Sequence, residues 1–222
     1  SVSSMTADVG SGSITYTNAG ALNIGSFNGI VGITAGTLTL SAGGLTDSAD
    51  AGITVTNAST IAITNAAGSY DYSGIITGPV TLTKSGAGLQ TLSAANTYTG
   101  GTTVNDGILR VTSNLGSTSA GLLLANAGSL DLQTALTVST LTMQGTSSIV
   151  GSAGTSSLTV NGVANVANSV VTNGAQTYQG AVTLAAATTL TASTVNTQST
   201  LAGGNNALTI TGAADIEDRK ST

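Results

Sequence analysis

The chain has 222 residues, of which 6% are charged and 3% aromatic, and its formal net charge is −5. An ordinary soluble domain has roughly 25% charged residues, so this composition argues against a mixed α/β enzyme. There is no His and no Cys, which excludes imidazole and thiolate chemistry, disulfides and cysteine zinc sites. The balance of 4 basic against 9 acidic residues argues against nucleic acid and anionic lipid as partners.

Short segments with period-two alternation recur along the whole chain. Each places Leu, Ile or Val on one face and mostly Thr on the other, as is typical of a half-buried strand. Clusters of Gly, Asn and Ser between them predict turns. No segment has convincing helical periodicity, and none approaches the roughly 18 to 20 apolar residues of a membrane-spanning helix. The predicted strands are, in chain order, 37–40, 53–56, 80–83, 108–111, 130–132, 136–138, 158–160, 182–184 and 208–210.

The spacing of small motifs predicts a repeating architecture. Tyr-x-Gly steps begin at Tyr72, Tyr98 and Tyr178, and Thr-x-Thr triplets recur with a loose period near 20 to 27 residues, which fits one coil of a β-solenoid. A sandwich core needs large inward residues, and Trp and Phe are nearly missing. We therefore predict an all-β fold, a parallel β-helix of roughly ten coils of about 20–27 residues and about 50 Å in length. The triplets begin at Thr15, Thr37, Thr54, Thr81, Thr97, Thr140, Thr189 and Thr209.

The composition is nearly uniform from Gly10 to Gly212, so residues 1–214 are predicted to form a single β-solenoid domain. Residues 215–222 form a charged C-terminal tail, which we expect to meet a sister subunit or a neighbouring coil. The first residues lack the basic and apolar regions of a signal peptide. We interpret the chain as a processed mature subunit or a slice of a longer protein.

Residues 73–111 resemble the autotransporter-associated β-strand repeat of passenger domains in Gram-negative type V secretion. The most specific part is the run Asn96-Thr97-Tyr98-Thr99-Gly100-Gly101-Thr102-Thr103-Val104-Asn105. Two residues depart from the family pattern, since Gln90 stands at a usually apolar position and Pro79 at a usually small one. A second, looser resemblance links residues 172–212 to filamentous-haemagglutinin-like exoproteins. Both resemblances imply an exported, right-handed parallel β-helix, and neither motif carries catalytic residues.

The residues of this repeat have expected structural roles. Alternation places four apolar side chains inward, and the glycines are expected at corners where φ is positive or coils approach closely. Tyr98 is expected to cover a corner with its ring while its hydroxyl reaches solvent. Lys84 and Arg110 are expected on solvated strand faces. The inward set is Leu82, Leu92, Val104 and Leu109, and the corner glycines are Gly86, Gly88, Gly100 and Gly101.

Few charged groupings remain for chemistry, namely Asp47 with Asp50, Asp71, and Asp106 with Arg110. Paired carboxylates can cleave glycosides, but Asp47, Asp50 and Asp106 lie in Gly-flanked turns, where Asp serves its own backbone. We therefore expect no enzyme and no catalytic, cofactor-binding or metal-binding residues. Weak surface binding of Ca²⁺ remains open.

The function predicted from these features is that of an extracellular structural or adhesive rod. It would be exported through the outer membrane to the bacterial surface, where it contacts host surface, matrix or glycan through many weak interactions. It would not insert into the membrane, and it could associate end to end into a filament. Two alternatives stay open: ice binding by outward Thr-x-Thr pairs, and binding or cleavage of polysaccharide by a β-helix.

Overall fold

The computed structural model describes residues 3–48, 50–116 and 121–217. Within these residues the chain is all-β and contains no helix, and its strands stack in parallel into a β-solenoid of about ten turns. The predicted fold class is confirmed. Alternation of β-branched and small residues favours this outcome, because such side chains fit a pleated surface that is buried on one side.

The strands are short, and five of them continue around a corner of the solenoid. In chain order they are β1 (Ser3–Met5), β2 (Ala7–Asp8), β3 (Ser13–Ile24), β4 (Ser26–Phe27), β5 (Ile30–Val31), β6 (Ile33–Ala35), β7 (Thr37–Asp47), β8 (Ile53–Val55), β9 (Ser59–Ile63), β10 (Ser69–Tyr72), β11 (Ile76–Gly78), β12 (Val80–Lys84), β13 (Leu89–Leu92), β14 (Thr97–Tyr98), β15 (Thr102–Val104), β16 (Ile108–Val111), β17 (Gly121–Leu124), β18 (Ser129–Leu132), β19 (Ala135–Val138), β20 (Thr140–Met143), β21 (Ser148–Gly151), β22 (Ser157–Val160), β23 (Ala164–Val171), β24 (Gln176–Tyr178), β25 (Val182–Thr197), β26 (Leu201–Ala202) and β27 (Leu208–Ile216).

Strand pairing defines three faces, which we name A, B and C. In each turn the chain passes through face B, then face C, then face A. Face A holds β9, β12, β15, β17, β20, β26 and the first parts of β3, β7, β23 and β25. Face B holds β1, β10, β13, β16, β18, β21, the second parts of β3, β7 and β23, the middle of β25 and the start of β27. Face C holds β2, β6, β8, β11, β14, β19, β22, β24 and the ends of β25 and β27.

Each residue pairs with one located about one turn later in the sequence. The separation varies: Ala164 pairs with Val182, 18 residues later, and Ala7 pairs with Ile33, 26 residues later. Because the register is kept from turn to turn, similar side chains stack into ladders. One inward ladder on face A consists of Tyr16, Leu40, Ile61, Leu82, Thr102, Leu122, Leu141, Ala164, Val182 and Leu201.

The core is a narrow column of aliphatic side chains, with three tyrosines and one lysine among them. Burial of each Leu, Ile or Val side chain contributes roughly 1.5–3 kcal/mol relative to exposure. The four residues predicted to point inward are all fully buried, which confirms the predicted strand faces. They are Leu82, Leu92, Val104 and Leu109.

Three irregularities interrupt the stack. No ladder joins β7 to β10 on face B, where the side chain of Gln90 bonds to the backbone of Leu45 instead. On face C, β14 is the last strand of one described sheet and β19 belongs to another, and residues 117–120 between them lie outside the described part of the chain. Between β3 and β6, strands β4 and β5 form the one antiparallel pair among the described residues, turning at Asn28 and Gly29 with positive φ.

Gly86 and Gly100 occupy corners, as predicted. Gly86 has φ +77°, and a Cβ there would lie 2.4 Å from the carbonyl oxygen of Asn65. At Gly100 a Cβ would lie 2.2 Å from the carbonyl oxygen of Val80. Gly101 differs, because its Cβ would have a single neighbour, at an ordinary 3.4 Å. Coils therefore touch at Gly86 and Gly100, whereas a side chain at Gly101 could be accommodated at ordinary contact distance.

Candidate functional surfaces

The three tyrosines of the Tyr-x-Gly steps lie inside the solenoid. Tyr72, Tyr98 and Tyr178 are fully buried, so the expectation that the Tyr98 hydroxyl reaches solvent is wrong. That hydroxyl is hydrogen-bonded to the hydroxyl of Thr102 at 2.6 Å. Thr102 is the polar residue in the inward face A ladder, and this bond gives its hydroxyl a partner. Burial raises the pKa of all three tyrosines well above the ordinary value. They serve as core residues and are not available to stack on a ligand.

Lys84 is also buried, which corrects the expectation of a solvated position. It follows Leu82 by two residues on the same strand, and both side chains point inward. The ammonium donates hydrogen bonds to the carbonyl oxygens of Ser85, Gly86 and Asp106 at 3.0, 2.6 and 3.2 Å. Desolvation lowers the pKa of Lys84, and the negative charge of Asp106 opposes this effect. Lys84 therefore joins the corners of two successive turns.

The predicted acidic groupings accept hydrogen bonds, most of them from residues of the next turn. Ser73 donates its backbone N–H to Asp47 at 2.7 Å, and its hydroxyl lies within 3.0 Å of oxygens of both Asp47 and Asp50. The hydroxyl of Ser93 donates to Asp71, and Asp106 accepts the backbone N–H of Gly107. Only Asp106 serves its own turn as expected, whereas Asp47 ends strand β7 and, like Asp50, bonds to Ser73 in the following turn, which corrects the expectation for those two residues.

Arg110 pairs with Asp131 and not with Asp106. The Nε atom of Arg110 lies 2.7 Å from Asp131, one turn further along face B. Burial tends to raise the pKa of Asp131, but hydrogen bonds from Ser152, Arg110 and Gln133 outweigh it and lower that pKa. Asp131 was missed in the sequence, although it lies in the predicted strand 130–132. The coil repeat is the signal that identifies it, since 21 residues separate it from Arg110.

No grouping of three or more acidic, His or Cys side chains that could hold a metal ion occurs in residues 3–48, 50–116 and 121–217. In that same part of the chain, no helix is long and apolar enough to cross a membrane.

The outward side of face A is a long, uncharged surface. In the described part of the chain, every charged side chain lies on face B or C, at a corner or, for Lys84, inside. At about 4.8 Å per strand, ten strands extend this surface over roughly 43 Å. One of its outward ladders consists of Thr17, Ser41, Ala62, Thr83, Thr103, Leu123, Thr142, Asn165, Thr183 and Ala202.

The Thr-x-Thr triplets do not form one lattice. Face A carries those that begin at Thr15, Thr37, Thr81 and Thr140. Those at Thr54 and Thr97 lie on face C, and those at Thr189 and Thr209 on face B. An ice-binding surface needs a regular hydroxyl array on one flat face, and this distribution does not supply it.

An apolar hairpin projects from the corner between faces B and C near the first turn. The side chains of Phe27, Ile30 and Val31 on β4 and β5 are exposed, Phe27 by 73%. The hydroxyl of Thr6 donates to the backbone carbonyls of Ile30 and Gly32 and holds the hairpin against the first turn. The sequence signal for this hairpin is the Asn28-Gly29 pair between apolar residues.

The fold and its surfaces define a parallel β-solenoid. At one corner the buried Lys84 joins two successive turns, and the outward side of face A is long and uncharged. Residues 82–111 match the family model of the passenger-associated-transport-repeat. The matched segment lies inside residues 73–111, so the predicted resemblance is confirmed, and the solenoid fits the β-helix of an autotransporter passenger. The resemblance of residues 172–212 to filamentous exoproteins remains a prediction. No curated protein and no solved structure shows significant similarity to the chain.

Proposed function

We propose that this chain is part of an exported passenger that works as a structural and adhesive rod at the bacterial surface. The observation that carries the proposal is the transport repeat at 82–111, whose strands on faces A and B form regularly paired turns within the stack. Strand β12 pairs with the turn before this repeat, and strands β15 and β16 pair with the turn after it. The repeat therefore supports an exported rod, with no catalytic role for its residues.

Face A is the proposed adhesive surface. Its outward Thr, Ser and Asn side chains offer hydroxyl and amide groups without a fixed charge, which suits neutral hydroxyl-rich partners such as the glycans of a host surface or matrix. Each contact of this kind contributes little, about 0.5–1.5 kcal/mol. Ten turns repeat the contact along one line, so binding strength comes from the number of contacts.

Localisation is tested on intact cells of the producing organism. We expect antibody against the chain to label unpermeabilised cells, and external protease to remove the label. Labelling only after permeabilisation would contradict export.

Adhesion is tested with two matched double variants. Thr60 and Thr81 are exposed neighbours on face A, and Thr189 and Thr209 are exposed neighbours on face B. Thr60→Glu with Thr81→Glu should reduce binding of the purified chain to matrix-coated or glycan-coated surfaces. Thr189→Glu with Thr209→Glu adds the same charge elsewhere and should leave binding unchanged. Equal binding by both variants would exclude face A as the adhesive surface.

A further inference from the structure

A groove interrupts the outward side of face A in the middle of the stack. Threonine holds one outward position of this face in four successive turns, at Thr15, Thr39, Thr60 and Thr81. In the next two turns the register gives this position to Gly101 and Gly121, and Thr140 restores threonine in the turn after them. Two neighbouring strands therefore lack an outward side chain between Thr81 and Thr140.

The missing side chains leave a groove of about 370 Å³ whose floor is the backbone of Gly101 and Gly121. This volume lies within the roughly 300–1,000 Å³ that is typical of small-molecule sites. Thr81 and Thr140 close the two ends, and at three strand spacings they lie roughly 14 Å apart. The other exposed or half-buried side chains that line the groove are those of Thr103, Leu123, Thr142 and Gln144.

The hydroxyl groups around the groove are free to bind a ligand. Elsewhere threonine hydroxyls bond to an adjacent turn, as the hydroxyl of Thr64 does to the carbonyl of Ala42 at 3.2 Å. The Thr140 hydroxyl leans over the groove floor, because a Cβ at Gly121 would lie only 2.7 Å from its Oγ1. Each hydroxyl can both donate and accept a hydrogen bond. Among the described residues, no side-chain hydrogen bond is made by Thr81, Thr103, Thr140 or Thr142.

The strands under the groove also depart from the pattern of the fold on their inward side. Thr102 is the polar member of the inward face A ladder, and its hydroxyl is bonded to that of Tyr98. A small cavity of about 10 Å³ lies on that side, against Tyr98, Thr102 and Leu122. The same two strands are therefore irregular on both sides. Places where a sequence departs from its own pattern are expected to be functional or strained sites.

We propose that this groove binds one pyranose ring of a neutral glycan. The C–H groups of the ring pack on the glycine backbone and on Leu123, and its hydroxyls exchange hydrogen bonds with the threonines at the ends and along the wall. Bare backbone is needed here, because a side chain at Gly101 would occupy the place of the ring. The proposal rests on the neutral adhesive face proposed above and adds one defined subsite to it.

Charge selects the class of sugar. None of the described residues that line the groove is charged. A neutral pyranoside therefore enters without losing the hydration of an ion, whereas the carboxylate of a uronic acid would lose hydration and gain no cationic partner. The net charge of −5 on the chain further disfavours an acidic sugar.

Binding is measured by NMR on the purified, isotope-labelled chain. The neutral probes are methyl β-D-glucopyranoside, methyl β-D-galactopyranoside and methyl α-D-mannopyranoside. At least one of them should give saturable shifts of the backbone amides of residues 101–103 and 121–123. A Kd on the order of 1 mM is expected for a single ring held by a few weak contacts. Sodium glucuronate should bind about tenfold more weakly or not at all.

Two matched variants separate the groove from the rest of face A. Gly101→Thr fills the groove, whereas Ala62→Thr adds the same side chain to face A two turns earlier. A Cβ at Gly101 meets a single neighbour at 3.4 Å, so both variants should keep the circular dichroism and thermal midpoint of the wild type. Gly101→Thr should abolish the shifts, and Ala62→Thr should leave Kd unchanged.

A third variant removes one hydroxyl without filling the groove. Thr140→Val keeps the shape of the side chain at the groove end, and the loss of one hydrogen bond should weaken binding roughly two- to tenfold. Binding as tight as that of the wild type would show that Thr140 does not contact the sugar as proposed.

Absence of saturable shifts with all three glycosides would overturn the proposal, as would equal binding by Gly101→Thr and Ala62→Thr. Shifts spread evenly along face A would also overturn it, because the sugar would then have no defined subsite. These results would leave the surface-labelling test untouched, and a rod could still adhere through the other turns of face A. Conversely, a chain that is not exported can still bind the glycosides, so the two proposals can fail separately.

Discussion

The side-chain amide of Gln90 makes two hydrogen bonds to the backbone of Leu45, a residue 45 positions earlier in the chain. The Leu45 N–H donates to Oε1 at 2.8 Å, and Nε2 donates to the Leu45 carbonyl at 2.9 Å. Nε2 also bonds to the carbonyl of Thr91 at 3.0 Å. On face B the side chain thus replaces the ladder that is missing between β7 and β10. The polar residue at this usually apolar position of the repeat has a structural reason.

Replacing Gln90 by Leu restores the family pattern but leaves the N–H and C=O of Leu45 without these partners. Since unpaired buried polar groups cost about 1–3 kcal/mol each, we expect Gln90→Leu to destabilise the chain by about 2–4 kcal/mol. Urea unfolding followed by circular dichroism measures this. A variant as stable as the wild type would show that the Gln90 bridge contributes nothing.

Leu82 and Thr83 are adjacent residues on opposite sides of β12. Leu82 is fully buried, and Thr83 points outward. Leu82→Asp buries an unpaired carboxylate and should cost about 3–5 kcal/mol, whereas Thr83→Asp should cost less than about 1 kcal/mol. The midpoints of urea unfolding of the two variants measure this difference. Equal losses would mean that the faces of this strand are assigned incorrectly.

Gly86 and Gly101 provide a matched test of how closely the turns approach. Gly86→Ala forces a Cβ against the Asn65 carbonyl at a positive φ, so we expect a loss of about 2–4 kcal/mol. Gly101→Ala meets no such obstacle and should change stability by less than about 0.5 kcal/mol. Thermal unfolding of both variants measures the difference, and a harmless Gly86→Ala would contradict the close contact.

The buried tyrosines predict alkaline unfolding. Their pKa values are raised in the folded state above the ordinary 10.0, so the unfolded chain loses these protons first. Their contribution to stability is therefore complete below pH 10 and is lost as the pH rises through the raised values. Each tyrosine should lower the free energy of unfolding by up to about 1.4 kcal/mol per pH unit in that range.

Urea unfolding between pH 9 and 12 measures this dependence. Tyr178→Phe should make the free energy of unfolding fall less steeply with pH, by the amount that one tyrosine contributes. This variant is the mildest choice, because the Tyr178 hydroxyl donates only to the side chain of Gln176, at 3.1 Å. If the slope of Tyr178→Phe equalled that of the wild type, ionisation of this tyrosine would not be coupled to unfolding of the chain.

Periodicity predicted the class of fold and the faces of individual strands, since Leu82 and Thr83 alternate as their neighbours do. It did not predict the burial of Lys84, although that residue also follows the alternation. One of its carbonyl partners belongs to Asp106, 22 residues later, and no local pattern shows that contact. The Arg110–Asp131 pair escaped notice for the same reason, because identifying it requires the register between turns.

The pairing distance along the chain bears on how the molecule can form. Most ladders join residues only about 20 positions apart, as where Leu82 pairs with Thr102. A turn therefore needs only the turn before it as a template, and closing so short a loop is entropically inexpensive. Folding can start at one end and advance as further chain becomes available. A polypeptide threaded through a narrow opening would acquire its native pairing progressively on the far side, without waiting for its last residues.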